Sequence, residues 1–190
     1  MKETLEIFRE SQALLEGHFI LTSGKHSDKY IQCAKVLQYP WHAEELAGRL
    51  RDKIKDEVSL VIGPAMGGVV LAQEVARCLK VPAIFSEREQ GKMAIRRGFE
   101  ITPGAKVLVV EDVITTGGSV QEVVDLVKRE GGIPVAVAVL VNRSGGKATF
   151  SVPLHELLAI DAQTFDPEEC PLCQQGTKAV KPGSRNLPGK

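Results

Sequence analysis

The chain has 190 residues, 43% hydrophobic and 25% charged, with 24 Lys and Arg balancing 24 Asp and Glu. That length suits one domain with a substantial core rather than two of typical size, and the composition is not that of a disordered chain. Balanced charge gives no support to a nucleic-acid binder, no apolar run reaches the roughly 18 residues of a membrane span, and Cys33, Cys78, Cys170 and Cys173 are too few and too uneven for a disulfide scaffold. The start, Met1-Lys2-Glu3-Thr4-Leu5, lacks the cationic and apolar run of a secretory signal, so a cytoplasmic location is the expectation.

Residues 2–16 predict an amphipathic helix with Leu5, Phe8, Leu14 and Leu15 as apolar contacts and Gly17 as its stop. A polar turn follows, from Thr22 to Tyr30, between two short strand-like runs. Pro40 precedes a helix from Trp41 to Lys55, with Ala43, Leu46, Ala47, Leu50 and Ile54 on one face. From residue 58 the pattern becomes strand, turn and helix. Val58–Ile62, Val81–Phe85, Lys106–Val110 and Pro134–Val141 are apolar runs without alternation, separated by helices over 68–79 and within 117–130. Such strands belong to a parallel sheet covered on both faces. Residues 150–160 predict one or two further strands. The expected fold is therefore α/β, a mainly parallel central sheet flanked by helices. The expected layout is a single domain over 1–190, with a core at 58–145 and a small hood from 1–40 and 146–190 over the sheet's C-terminal edge.

The segment Val107–Ser119 joins four buried-type residues to two acids, Glu111 and Asp112, and then to Thr115, Thr116, Gly117, Gly118 and Ser119 before a helix. The acids emerge where the strand ends, able to accept hydrogen bonds from sugar hydroxyls or from the water shell of a metal. The glycines let successive N–H groups turn toward an anion, and the helix start favours a phosphate. Simple helix capping is the plainer reading of the same residues. Neither G-x-x-x-x-G-K-[ST] nor G-x-G-x-x-G occurs, which disfavours a P-loop NTPase and a dinucleotide-binding dehydrogenase.

This stretch, with the glycine turn Gly63–Gly68 before it, resembles the phosphoribosyl-pyrophosphate (PRPP) motif of type I phosphoribosyltransferases. The rest of the chain resembles the orotate phosphoribosyltransferase family within them. The resemblance implies Mg²⁺-dependent transfer of the 5-phosphoribosyl group from PRPP to orotate, giving orotidine 5′-monophosphate and pyrophosphate in UMP biosynthesis. It implies Glu111 and Asp112 at the ribose, residues 115–119 around the 5′-phosphate, and Ala65, Met66 and Gly67 on the pyrophosphate side. It further implies that Ser86–Gly98 is a mobile catalytic loop, with Arg88 and Lys92 as its pyrophosphate-binding cations, shared across a homodimer. Orotate would meet Lys25, His26, Lys29, Tyr30, Thr115 and Arg143, the last through its guanidinium fork. Mg²⁺ would be held mainly through PRPP and water, with no direct protein ligand assigned. A purine or uracil phosphoribosyltransferase and a noncatalytic PRPP-binding regulator are the alternatives; neither nucleic acid nor membrane is an expected partner. Cys170-Pro171-Leu172-Cys173 and Val180–Arg185 resemble a C-terminal extension of one bacterial branch. For that C-x-x-C, ordinary or reversibly oxidised thiols, half a metal site and a disulfide all stay open, since Cys33 and Cys78 do not form a second such pair.

Overall fold

The computed structural model describes residues 2–21 and 23–182; Thr22 and residues 183–185 of the terminal motifs lie outside them. In chain order the elements are α1 (Thr4–Glu10), β1 (Leu14–Ile20), β2 (His26–Ile31), α2 (Ala34–Leu37), α3 (Pro40–Lys53), β3 (Leu60–Pro64), α4 (Gly67–Leu79) and β4 (Ala83–Glu89). There follow β5 (Lys92–Ile95), β6 (Lys106–Ile114), α5 (Gly118–Arg129), β7 (Ile133–Asn142), β8 (Leu154–Ala159), β9 (Thr164–Phe165), a 3₁₀ turn (Pro167–Glu169) and α6 (Pro171–Gln174).

The α/β architecture expected from the sequence is present. Six strands form one sheet in the order β5-β4-β3-β6-β7-β8, parallel except for β5. Val107, Leu108, Val109 and Val110 of β6 are fully buried, because helices cover both faces of the sheet. One core joins α3 and α4 to it through Leu46, Leu50, Leu71 and Val75; the other packs Val120, Val123, Val124 and Val127 of α5. Each such side chain contributes roughly 1.5–3 kcal/mol when removed from water, so the central strand is held rigidly beneath the residues that follow it. The chain runs from β3 out to β4 and returns to β6 on the other side. The loops after β3 and β6 therefore leave the sheet in opposite directions and bound a crevice at its C-terminal edge.

The N-terminal region departs from expectation. The helix ends at Glu10 instead of continuing to residue 16: the Ser11 hydroxyl donates to the carbonyls of Ile7 and Phe8, and Gln12 takes a positive φ of 54°. Leu14 and Leu15 instead pair with Ile31 and Tyr30 in an antiparallel hairpin. Chain ends meet here, since β2 also pairs with β9, giving a three-stranded sheet β1-β2-β9. Within β1 the register slips between Glu16 and Phe19, a bulge that carries Gly17 and His18. Residues 86–95 form a regular hairpin, with Gln90 and Gly91 at positive φ in its turn.

Candidate active site

Strand β6 carries Glu111 and Asp112, half-buried, in its C-terminal half, and consecutive side chains leave a strand on opposite faces. Glu111 lines the cleft with Thr115–Ser119; with Asp112, Met66 and Gly67 it also lines a second cleft of roughly 580 Å³. The two loops are built around these acids. A Cβ on Gly67 would lie 2.6 Å from an Asp112 carboxylate oxygen, so only glycine lets that backbone approach so closely. Gly63 and Gly68 touch backbone to backbone in the same way.

Gly117 has φ of 82° and its missing Cβ would be 3.0 Å from the Phe150 ring; the turn therefore requires glycine on both conformational and steric grounds. Thr115, Thr116, Gly118 and Ser119 are exposed around the cleft, at the start of the 12-residue helix α5. Free N–H groups and hydroxyls at a helix start make an anion cradle.

Burial raises both acids; the Asp112 charge raises Glu111 further, whereas the hydrogen bond with Glu111 opposes the rise at Asp112. Glu111 is pushed up to about 9, by burial first and the Asp112 charge second. Asp112 is also raised, by burial. Glu111 accepts from the Asp112 N–H at 3.0 Å, and Asp112 from the Val113 N–H at 2.8 Å. An acid that the fold keeps protonated while the unfolded chain ionises makes the protein lose stability as pH rises from 4.5 to about 9. Glu111→Gln removes the Glu111 share of that dependence. Its melting temperature, followed without ligand, should gain on that of the unsubstituted protein across this window; parallel pH profiles would refute the buried-acid assignment.

Arg143 follows β7, and its main-chain N–H donates to the Ile114 carbonyl, which ties it to the end of β6. Its Nε is buried with no hydrogen-bond partner among the described residues. Burial lowers the guanidinium's affinity for its proton, opposed by the nearby Cys33, Asp28 and Tyr30 groups. Cys33 is a neutral buried thiol, raised by burial and by Asp112, and donates to the Asp112 carbonyl. Asp28 and Cys33 are thus neighbours of the site that residue patterns did not single out; no local spacing marks them.

The other predicted residues divide. Tyr30 lies near Arg143 and donates to Gln32 at 2.8 Å. Lys29 donates to the Asp161 carbonyl at 3.1 Å, and Lys25 pairs with Asp166 at 3.1 Å, on the C-terminal segment. His26 is buried and faces His18 and Cys173. Of the hairpin cations, Arg88 forms a fork with Glu122 of α5 at 2.9 and 3.0 Å, and Arg97 one with Glu87 at 2.8 Å. Lys92 is exposed, and its ammonium has no partner among the described residues. The hairpin therefore lies against the helix that begins at the Thr115–Ser119 turn.

The chain as a whole is similar to known proteins. Residues 36–151 match the family model of the phosphoribosyl transferase domain. The chain is 54% identical over 187 residues to the orotate phosphoribosyltransferase of Desulforamulus reducens, covering 98% of each. It is 57% identical to that of Caldicellulosiruptor bescii, covering 95% of this chain and 96% of the other. Among solved structures it resembles the orotate phosphoribosyltransferase of Aeropyrum pernix, with a TM-score of 0.70 at 26% identity, over 82% of this chain and 92% of that one.

Proposed function

The chain belongs to the orotate phosphoribosyltransferases, a type I phosphoribosyltransferase family, and on that premise we propose which of its residues bind and activate the substrates. The reaction is transfer of the 5-phosphoribosyl group from PRPP to orotate, forming orotidine 5′-monophosphate and pyrophosphate. The observation that carries the site assignment is the C-terminal part of β6: two half-buried acids between a glycine loop and a glycine- and hydroxyl-rich turn, beside Arg143, whose buried Nε has no hydrogen-bond partner among the described residues.

In this reading the 5′-phosphate sits on the amides and hydroxyls of Thr115–Ser119, favoured by the positive end of α5. Glu111 and Asp112 accept hydrogen bonds from the ribose hydroxyls. The loop Ala65-Met66-Gly67 lines the pyrophosphate. Orotate lies between Tyr30, Lys29 and Arg143, its carboxylate taken by the guanidinium. The base nitrogen, its N–H proton given up to solvent, attacks C1 of the ribose as the bond to pyrophosphate breaks, with inversion, and positive charge builds at the ring carbon while negative charge builds on the leaving group. Fixed amides and loop cations stabilise that separation once water is excluded, which also protects PRPP from hydrolysis.

The acids fit Mg²⁺, since they present hard oxygen acceptors at the rim of the cleft. Glu111 and Asp112 would orient its water shell more than bind it, and when present it neutralises charge on the pyrophosphate. Arg88 and Lys92 serve the pyrophosphate, with Arg88 exchanging Glu122 for the substrate as the hairpin moves. A homodimer shares this hairpin between subunits; exposed Trp41 of α3 and Val70 of α4 offer apolar surface for a second copy. Among the described residues no helix is long and apolar enough to cross a membrane, and we assign the protein to the cytoplasm.

Incubation with PRPP and Mg²⁺ and a panel of orotate, uracil, adenine and hypoxanthine tests the assignment. Pyrophosphate release that requires orotate is expected. Release with another base instead, or PRPP binding with no base consumed, would overturn it.

A further inference from the structure

Away from the cleft, four side chains from opposite ends of the chain converge with nothing in the transferase reaction to explain them. His18 from the β1 bulge, His26 from the start of β2, and Cys170 and Cys173 around α6 place one ligand atom each within 4.8 Å of all the others. Three of the four are buried. We propose that His18, His26, Cys170 and Cys173 form a structural Zn²⁺ site that fastens the C-terminal segment to the β1–β2 hairpin.

The donor set and the distances both fit. Zn²⁺ takes imidazole nitrogen and thiolate sulfur in tetrahedra, with neighbouring nitrogen and sulfur ligands about 3.5 Å apart. Here Cys170 Sγ is 3.5 Å from His18 Nε2, Cys173 Sγ is 3.8 Å from the same atom, and Cys173 Sγ is 3.3 Å from His26 Nδ1. The two imidazole nitrogens are 2.8 Å apart, so closing around an ion requires them to part by roughly half an ångström. The outer contacts are those of a ligand. His18 Nδ1 is 3.0 Å from the Thr177 carbonyl, an acceptor only, so Nδ1 carries the proton and Nε2 turns its lone pair toward the cluster. Thr177 is itself fixed, its hydroxyl donating to the Leu172 carbonyl at 2.6 Å.

Four protein ligands leave no position for substrate, which makes the site structural rather than catalytic. There is also a reason for it to exist. Strand β9 has only two residues, α6 only four, and no hydrophobic side chain within α6 is buried, so little apolar packing holds this segment to the hairpin. On binding, each cysteine loses its thiol proton to solvent and no electron is transferred.

The test is metal analysis of the full-length protein, expressed with zinc and purified without chelator or metal-affinity resin, alongside Cys173→Ser, Cys170→Ser and the control Cys78→Ser. About one zinc per chain is expected in the unsubstituted protein and in the control, falling below about a tenth in the other two. Cys173 is exposed, so its variant leaves the packed core untouched. Independently of any variant, Co²⁺ added to the chelator-stripped protein should give the absorption of tetrahedral thiolate coordination, and chelation should lower the melting temperature. Metal-free protein without a cobalt–thiolate band, or a mass two hydrogens short from a Cys170–Cys173 disulfide, would overturn the proposal. These readouts do not involve orotate, so they stand apart from the substrate assignment.

Discussion

Asp112→Asn should lower orotate-dependent turnover by about 10²–10³-fold, the usual cost of removing one preorganised polar partner from a reacting centre, while the protein still folds. The substitution is nearly isosteric. The amide oxygen of Asn can still accept from the Val113 N–H, and the group still fills the space that Gly67 leaves open. What disappears is the ability to become an anion against the ribose and the water shell of Mg²⁺. Because burial already disfavours that anion in the free protein, the neutral amide carries no folding penalty from ionisation. Steady-state kinetics paired with thermal melts separate the two roles. Turnover within about threefold of the unsubstituted enzyme, at an unchanged melting temperature, would remove Asp112 from the ribose site.

Arg143→Met should act on the other substrate. Losing one partner of a buried charged hydrogen-bonded pair costs about 2–5 kcal/mol, so the KM for orotate should rise by about 30-fold or more. The KM for PRPP should change little. Stability should hold or improve, because a donor that is buried and unpartnered among the described residues gives way to an apolar chain of similar length. A large loss of PRPP affinity with orotate KM unchanged would move Arg143 to the phosphate side.

The sheet and its turn were legible because their causes are local. Val107–Val110 are buried on both faces and Gly117 is required where φ is positive, although the strand runs on past the two acids to Ile114, four residues beyond its expected end at Val110. The N-terminal hairpin was not. Leu5, Phe8, Leu14 and Leu15 satisfy a helical period, and the break rests on the Ser11 hydroxyl turning back onto the helix and on Gln12. A helix through residue 16 would leave His18 merely flanking it, whereas the β1 bulge turns it toward His26 and the cysteines. Its partner Cys170 lies 152 residues away, a pairing that no spacing rule contains. Cys33 and Cys78 form no second C-x-x-C, and the atoms facing Cys170 and Cys173 are imidazole nitrogens. Lys25 and His26 join the expected base site only through the family resemblance of residues 21–30. In the structure Lys25 reaches Asp166 and His26 faces Cys173, while Tyr30, farther along β2, lies near Arg143.

The central claim is that one cleft holds a phosphoribosyl group at the end of β6 and reads a base carboxylate with the arginine after β7. Orotidine 5′-monophosphate and uridine 5′-monophosphate differ only in that carboxylate, so the ratio of their dissociation constants isolates it. Titration calorimetry of both nucleotides against the unsubstituted protein and Arg143→Met closes a double-mutant cycle. The expected result is a preference for orotidine 5′-monophosphate that collapses in the variant, with uridine 5′-monophosphate bound about equally by both proteins. A preference that survives the loss of Arg143 would contradict the claim.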